Sequence, residues 1–562
     1  MPNRIALAIY LFLFMLSATS NYAQMAEESA VDQLFAQWSN TYSPGCAVAV
    51  IKDGNIIYKK GYGMADLEHD IPIRPESVFY IGSVSKQFVA ACMLLLDEQG
   101  KIDLDADVRT YIPEFPDYGY PITIRNLIHH TSGVRDNLTL WELAGRSHLD
   151  EIPEEEIFDM ICRQKELNFE PGTKYLYSNS CYFLMSIIVK RASGKSLREY
   201  ADEYIFQPLG MQHSIFQDNN RRMIKNRAFA YGQNPDGSFN SMLMRFDLVG
   251  SGGLYSTVED LFRWDQNFYN NKIGNRGPAF IQDMLTNGRY KDGTEVGYAF
   301  ALENGHYKGL PTVSHGGALG GYRSFYLRFP EQHFSVVILS NLENFLPEKL
   351  AEQVADIYLK DNFVAAPSTA IVKKELPTFI TLKPKQLDAV SGLYWNEEGA
   401  YSRKVYVRND TLRYSRGEGN ESALLPIDAQ HFIMDDTNGE VAIHFQKAEK
   451  NQPAQMLFTV GNQEAIISTQ YEPYTLDEKA LKAIPGHYYS SELDTRYQLG
   501  VKEKQLFVKI KNQDWLPLKP IKSDLFTQER IGQFYLDFDK NGNATGFRLQ
   551  AGRVRNLLFT RL

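Results

Sequence analysis

Ser83 and Lys86 stand three residues apart, directly after Tyr80-Ile81-Gly82 and at the start of an apolar stretch. The pattern predicts a helix here, and residues i and i+3 of a helix share a face, so the serine Oγ and the lysine Nζ can meet. A serine hydroxyl becomes a nucleophile when a neighbour accepts its proton, and a desolvated lysine can do this. Free N–H groups at a helix N-terminus also stabilise negative charge. The quartet indicates a serine hydrolase; the alternative is a helix cap followed by a solvated lysine.

Tyr177-Ser178-Asn179 adds a phenol and an amide between a turn at Glu170-Pro171-Gly172-Thr173 and an apolar helix. A phenol near Ser83 and Lys86 can act as general base or acid, and an amide can hold a substrate carbonyl. The alternative is an ordinary core tyrosine.

His315-Gly316-Gly317-Ala318 ends a predicted strand. Glycines let a backbone approach a ligand closely, and an N–H from this strand can complete an oxyanion hole with the N–H of Ser83. A β-bulge is the alternative. Together, and in this order along the chain, the three segments favour catalysis.

In combination, Ser83-Val84-Ser85-Lys86, Tyr177-Ser178-Asn179 and His315-Gly316-Gly317 resemble the three motifs of serine β-lactamase-like hydrolases. The branch is that of class C β-lactamases, D-alanyl carboxypeptidases, esterases and D-aminopeptidases. The resemblance implies an α/β catalytic domain with a central antiparallel sheet flanked by helices, plus an all-helical lobe. It also implies an acylated Ser83 whose proton is handled by Lys86 and Tyr177. By the same resemblance, Asn179 orients the substrate, and the N–H groups of Ser83 and Ala318 form the oxyanion hole.

The third motif departs from that of efficient β-lactamases in this branch, which begins with Lys. Here His315 is followed by Gly316. A neutral imidazole can hydrogen-bond Tyr177 but carries no fixed charge at pH 7. Because His-x-Gly resembles the esterase and D-amino-acid peptidase relatives, ester or peptide hydrolysis ranks ahead of β-lactam hydrolysis.

The sequence therefore predicts an exported serine hydrolase that forms an acyl-enzyme on small esters, or on peptides and amides that include D-residues and cell-wall fragments. The alternatives are a weakly catalytic penicillin- or peptidoglycan-binding protein and a low-activity class C-like β-lactamase. No metal or organic cofactor is expected, since the adjacent His129-His130 lacks ligand spacing. With 59 Lys+Arg and 68 Asp+Glu mixed along the chain, the net charge is −9, which argues against a nucleic-acid partner.

The domain prediction starts with a signal peptide over residues 1–24, where Arg4 precedes an apolar run that is short for a membrane span. An uncleaved anchor is the alternative, and the predicted location is periplasmic or secreted. A hydrolase domain over 29–362 follows, with a hairpin at 45–62 and strands at 297–303, 311–315, 322–329 and 333–340. The four cysteines, Cys46, Cys92, Cys162 and Cys181, are expected to be free thiols in apolar surroundings, with a disulfide, which export would permit, as the alternative.

The C-terminal part of the chain repeats itself. A Pro-rich linker is predicted over 363–385, followed by two β-barrel-like repeats over 386–473 and 474–562. The repeat is visible at an offset of 94 residues, which relates Tyr394 to Tyr488 and Val407 to Val501. Short alternating runs in both copies favour antiparallel barrels or sandwiches.

Overall fold

The computed structural model describes residues 25–147, 149–363, 377–417, 419–435, 441–450, 452–461 and 463–562. The predicted signal peptide and residues 364–376 of the predicted linker lie outside the described residues. The chain divides into two compact units, with the division between Ala365 and Ala366.

The first unit is built on a six-stranded antiparallel sheet. Its strands are β1 Cys46–Lys52, β2 Asn55–Tyr62, β3 Glu303–Tyr307, β4 Leu310–Leu319, β5 Tyr322–Phe329 and β6 Phe334–Ser340. The order across the sheet is β3-β4-β5-β6-β1-β2, so strands from both ends of the domain pair at its centre. The paired strands β6 and β1 consist almost entirely of buried, mostly apolar residues, as expected for strands covered on both faces.

Helices cover both faces of this sheet and form a separate lobe. They are α1 Lys86–Glu98, α2 Ile124–Ile128, α3 Asn137–Leu143, α4 Glu154–Cys162, α5 Asn179–Ser193, α6 Leu197–Ala201, α7 Gln207–Leu209, α8 Val258–Asn267, α9 Pro278–Leu285 and α10 Pro347–Tyr358, with a further helix over residues 25–34. Helix α10 packs on β5 and β6, and α8 packs on β1 and β6. In the lobe, α1 and α5 pack against each other, and α5 also contacts α2, α3 and α6.

Short strands join the helices to the sheet. They are Met64–Asp66, Ile71–Pro72, Phe79–Tyr80, Glu151–Ile152, Ile215–Phe216, Tyr231–Gln233, Phe239–Ser241, Arg245–Phe246 and Leu254–Ser256. Among them, Phe79–Tyr80 pairs with Leu254–Ser256 and leads directly into the turn that carries Ser83.

The predicted strand over 297–303 is wrong in its position. The strand begins at Glu303, and residues 297–302 are irregular. Ala301 has a left-handed φ of 57°, and the N–H of Phe300 donates to the carbonyl of Met284 at 3.2 Å. The apolar residues of this segment are buried although the segment is irregular, so their burial does not require a strand.

The second unit contains two all-β bodies, each preceded by a short helix, α11 Pro384–Asp388 and α12 Glu478–Ala483. The first body is a closed eight-stranded barrel, β7 Gly392–Asn396, β8 Tyr401–Arg408, β9 Thr411–Gly417, β10 Asn420–Pro426, β11 His431–Met434, β12 Val441–Gln446, β13 Gln455–Val460 and β14 Ile466–Tyr471. The second is a nine-stranded sheet, β15 Gly486–Ser490, β16 Thr495–Lys502, β17 Gln505–Ile510, β18 Leu516–Pro517, β19 Lys519–Pro520, β20 Leu525–Gln528, β21 Gly532–Phe538, β22 Ala544–Ala551 and β23 Val554–Arg561. Its edge strands β18 and β19 are separated by Leu518 alone, so the sheet is nearly closed.

The 94-residue offset corresponds to equivalent positions in the two bodies. Tyr394 donates from Oη to the carbonyl of Val390 at 2.8 Å, and Tyr488 donates to the carbonyl of Ile484 at 2.5 Å. The predicted fold class, an α/β domain with a helical lobe followed by two barrel-like repeats, is confirmed. Within the described residues, no helix has the length and apolar character needed to cross a bilayer.

Candidate active site

Ser83 lies in a tight turn, Gly82–Ser85, that continues directly into α1. Lys86 is the first residue of α1, its side chain is fully buried, and its Nζ lies 3.0 Å from Ser83 Oγ. Gly82 has a φ of +53°, and a Cβ added there would lie 2.7 Å from the N atom of Ala318. The turn therefore needs glycine to bring the serine against the end of strand β4.

The Lys86 amine has an acceptor for each proton of an ammonium. It donates to Ser83 Oγ at 3.0 Å, to Asn179 Oδ1 at 2.9 Å and to the carbonyl of Ser251 at 2.5 Å. Three acceptors at hydrogen-bond distance match the three N–H donors of –NH₃⁺. Lys86 is thus held by α1, α5 and the loop before the short strand Leu254–Ser256.

The carbonyl of Ser251 is positioned by the glycines around it. Gly250 and Gly253 have φ values of +108° and +90°, and a Cβ at Gly252 would lie 2.2 Å from Tyr80 Oη. The N–H of Gly253 donates to the same oxygen at 3.1 Å. This close packing fixes the loop, and no part of the three motifs indicated that its carbonyl reaches Lys86.

Both the backbone and the side chain of Asn179 are held by hydrogen bonds. Asp136 Oδ2 accepts from the Asn179 backbone N–H at 2.6 Å and from its Nδ2 at 2.9 Å, while Oδ1 of Asp136 accepts from Thr139 N at 2.9 Å. One carboxylate therefore caps α3 and holds the start of α5. Asp136 is not part of the three predicted motifs, although an Asp before a helix is a recognisable cap.

Tyr177 lies two residues before the first residue of α5, beside Lys86. Lys86 Nζ lies 4.9 Å from the centre of the tyrosine ring, a cation–π distance. The imidazole of His130 also packs against the Tyr177 ring at a tilted angle, with ring centroids 4.1 Å apart. The structure therefore brings Ser83, Lys86, Tyr177 and Asn179 together, as the motifs predicted, while their individual roles stay predictions.

His315 lies on β4 with 3% of its surface exposed. Its Nδ1 lies 2.7 Å from the carbonyl of Gly316, which can only accept, so Nδ1 carries the proton. Nε2 then accepts from Tyr298 Oη at 2.9 Å. Burial, with a smaller contribution from the charge of Lys86, lowers the pKa of His315 to about 3, so the ring is neutral at pH 7.

The partner of His315 differs from the expected one. The sequence analysis offered Tyr177 as a hydrogen-bond partner, but its ring centre is 6.4 Å from that of His315, and Tyr298 occupies Nε2. Tyr298 comes from the irregular segment that the sequence predicted as a strand. In its irregular conformation, this segment brings the Tyr298 hydroxyl to His315 and its carbonyl to His129 Nδ1, 3.0 Å away.

The end of β4 lies against the serine turn. A Cβ at Gly317 would lie 2.2 Å from the carbonyl of Ile81 and 3.0 Å from Ser83 N. Ser324 on β5 donates from Oγ to that Ile81 carbonyl at 2.7 Å and so ties the turn to the sheet. Ala318, the next residue, is exposed. The N–H groups of Ser83 and Ala318 are thus close to each other, as an oxyanion hole requires.

The four cysteines form no disulfide within the part of the chain that the structure describes. Cys46, Cys92 and Cys181 are buried free thiols, and Cys162 is a partly buried one. Across the part of the chain that the structure describes, no group of three or more His, Cys, Asp or Glu side chains is placed to hold a metal ion.

The fold and this site define a serine hydrolase of the β-lactamase fold. The Beta-lactamase family matches residues 31–359, more than half of the chain, and the protein belongs to this family. The family resemblance and the enzyme class predicted from the three motifs are confirmed.

Two curated relatives show the range of activities near this chain. A D-aminopeptidase of Gluconobacter oxydans is 30% identical over 315 residues, which cover 56% of this chain and 58% of that protein. Penicillin-binding protein 4* of Bacillus subtilis is 31% identical over 314 residues, covering 53% of this chain and 68% of that protein. The match thus spans little more than half the length of the D-aminopeptidase.

Solved structures agree in fold. An octameric penicillin-binding protein homologue from Pyrococcus abyssi superposes with a TM-score of 0.53 at 20% identity, covering 88% of this chain and 99% of that one. EstCE1, a hydrolase with promiscuous acyltransferase activity, gives a TM-score of 0.51 at 21% identity over 60% of this chain and 99% of that one.

Proposed function

We propose that the protein hydrolyses small esters and amides through an acyl-enzyme on Ser83, and that its substrates include peptides or amides with a D-residue. The observation that carries this proposal is the neutral, buried His315, whose Nε2 is occupied by Tyr298. Strand β4 therefore offers no cation for a substrate carboxylate beside the nucleophile. Similarity to a D-aminopeptidase supports the proposed hydrolysis of amides that contain a D-residue.

The chemistry follows the geometry of the site. As Ser83 Oγ bonds to the substrate carbonyl carbon, its proton passes to the unprotonated member of the Lys86–Tyr177 pair, which is either the Lys86 amine or the Tyr177 phenolate. The N–H groups of Ser83 and Ala318 stabilise the oxyanion. Collapse of the adduct breaks the bond to the alcohol or amine, which leaves with the proton. Water then attacks the acyl-enzyme, releases the acid and restores the Ser83 hydroxyl.

The test compares Ser83→Ala with the unchanged protein on p-nitrophenyl esters, D- and L-aminoacyl p-nitroanilides and nitrocefin. Loss of the nucleophile should lower turnover at least about a thousandfold, with an unchanged circular dichroism spectrum. A fluorophosphonate should label the peptide that contains Ser83, as read by mass spectrometry. Turnover retained in Ser83→Ala would refute the mechanism, whereas turnover of nitrocefin alone would refute the substrate class.

A second candidate function is a weakly catalytic penicillin-binding protein, favoured by the 31% identity to penicillin-binding protein 4*. Labelled penicillin distinguishes the two. A stable label after one turnover supports a binding protein, and continuing product release supports the hydrolase.

We also propose that the protein is exported to the periplasm or secreted, on the basis of the basic and apolar pattern of residues 1–24. N-terminal sequencing of the protein from culture fractions tests this. A mature N-terminus near residue 24 in the periplasm or medium supports export, and an intact Met1 in the cytoplasmic fraction refutes it.

A further inference from the structure

A second groove on the catalytic unit shares no residue with the site around Ser83. Residues 65–77 form one wall and residues 220–229 the other, and the groove has a volume of about 1100 Å³. Backbone hydrogen bonds join the walls, from Phe229 N to the carbonyl of Ala65 at 2.8 Å and from Val78 N to the carbonyl of Asn226 at 2.9 Å. The groove is therefore built into the fold.

The groove is rich in cations. Its lining contains four arginines, Arg74, Arg221, Arg222 and Arg227. Among the described residues, only Arg222 has a carboxylate partner, Asp218, at 3.3 Å. Of the two acidic residues in the lining, Asp66 is already bonded to His69, with 2.8 Å between Oδ2 and Nδ1. Glu76, the other carboxylate, is exposed. With four arginines against two carboxylates, the lining has an excess of positive charge.

Arg227 is partly buried and packs against aromatic rings. Its guanidinium carbon lies 5.3 Å from the ring centre of Tyr255 and 5.5 Å from that of Phe229. Its Nε is shielded from solvent, and no hydrogen-bond acceptor reaches it within the described ranges; Tyr322 is the polar neighbour of the guanidinium. A partly buried cation without a carboxylate partner is costly. An oxyanion would supply the missing partner, because a guanidinium binds carboxylate or phosphate through two parallel N–H bonds.

The rim of the groove is apolar beside these charges. Met223 is 94% exposed and Ile71 is 51% exposed, and both belong to the lining. Large exposed apolar side chains next to cations fit a ligand that carries an apolar portion beside its anionic group.

We propose that this groove binds a small organic anion, with its carboxylate or phosphate group on Arg227 and its apolar portion against Ile71 and Met223. The site is separate from the hydrolytic function proposed above and needs no turnover. It would allow a ligand to be held on the catalytic unit while Ser83 acts on another molecule.

The test uses the full chain after covalent block of Ser83 with a fluorophosphonate, so that the catalytic site cannot contribute to binding. Isothermal titration calorimetry at low ionic strength compares hexanoate, inorganic phosphate and the uncharged hexan-1-ol. Hexanoate should bind, and hexan-1-ol should bind at least about tenfold more weakly, because one charged hydrogen-bonded contact is removed. Arg227→Gln should weaken hexanoate by about the same factor.

Two further variants keep the proposal refutable. Arg74→Gln with Arg221→Gln changes two exposed side chains of the groove and should also weaken binding, even if Arg227→Gln does not fold. Arg496→Gln removes the same charge from an exposed position on β16 and should change nothing. Binding of hexanoate alone, or of both anions, supports the proposal that the groove binds an organic anion. Binding of phosphate alone would overturn the proposed role of the apolar portion of the ligand. No binding of either anion, or binding that the groove variants leave unchanged, overturns the proposal.

Discussion

Tyr298 and His315 share a hydrogen bond whose direction is set by the backbone. The Gly316 carbonyl takes the Nδ1 proton, so Nε2 must accept from the tyrosine hydroxyl. In Tyr298→Phe, Nε2 becomes a buried acceptor without its donor, at a cost of about 1–3 kcal/mol. We expect kcat/KM for a p-nitrophenyl ester to fall about tenfold, because the ring is no longer held beside the site.

A structural role alone would lower stability without changing the imidazole. The ¹⁵N resonance of His315 Nε2 in a histidine-labelled sample is therefore the second measurement, and it should shift in Tyr298→Phe. Tyr290→Phe, which alters a partly buried tyrosine of the same unit, is the matched control. An unshifted resonance with full activity would show that the bond has no catalytic consequence.

At the scale of elements, the contact between β4 and the serine turn depends on one of two adjacent glycines. A Cβ at Gly317 would lie 2.2 Å from the Ile81 carbonyl, whereas a Cβ at Gly316 would lie 3.4 Å from the nearest atom, on Phe325. Gly317→Ala must push the strand from the turn and should reduce kcat at least about a hundredfold. Gly316→Ala should stay within about twofold. Equal effects in steady-state kinetics would contradict the oxyanion geometry.

The junction of α3 and α5 depends on Asp136, which caps the first helix and holds the first residue of the second. Asp136→Ala leaves two buried donors of Asn179 without an acceptor and should destabilise the catalytic unit by about 3 kcal/mol. Activity should fall as well, because Asn179 orients Lys86.

Asp477→Ala provides the matched helix cap in the second unit, where Oδ1 accepts from Ala480 N at 2.7 Å. It should cost about 1 kcal/mol and leave kcat/KM unchanged. Urea unfolding and ester hydrolysis measure both variants. If the two substitutions have the same effect on activity, Asp136 acts only as a helix cap and does not position Asn179 for catalysis.

The sequence predicts those parts of the site whose residues lie close together in the chain or belong to one of the three motifs. Ser83 and Lys86 meet because a helix places i and i+3 together, and the order of the motifs identifies the other two segments. The carbonyl of Ser251 comes from 165 residues beyond Lys86, and the carboxylate of Asp136 from 43 residues before Asn179. Periodicity carries no information on such contacts. It also failed at residues 297–302, where an apolar run is buried as a loop.

At the scale of the whole molecule, the repeat was predictable because the same contact recurs in both copies. Tyr394 and Tyr488 bond the carbonyl four residues earlier, and Val407 pairs with Leu412 as Val501 pairs with Leu506. The closure of the first barrel depends instead on pairing between its first and last strands, Leu393 with Tyr471. No residue pattern within either strand specifies that pairing.

The catalytic unit should lose stability in acid, because burial strongly lowers the pKa of two of its histidines, His129 and His315. Burial lowers the pKa of His129 to about 4 and that of His315 to about 3, from about 6.5 in the unfolded chain. Below pH 6.5 the unfolded state therefore binds protons that the native state does not. The free energy of unfolding should fall as the pH drops from about 6.5 to 4, by about 1.4 kcal/mol per pH unit for each histidine.

Urea unfolding of the catalytic unit at pH 7, 6 and 5 measures this slope. His129→Gln removes one of the two titrating groups and should reduce the slope by about half of the histidine contribution. His306→Gln, at an exposed position of the same unit, should leave it unchanged. Since unfolding is what protonates the two rings, the loss of stability should be reversed on return to pH 7. A slope that is identical in the unchanged protein and in His129→Gln would show that His129 is already protonated in the folded state.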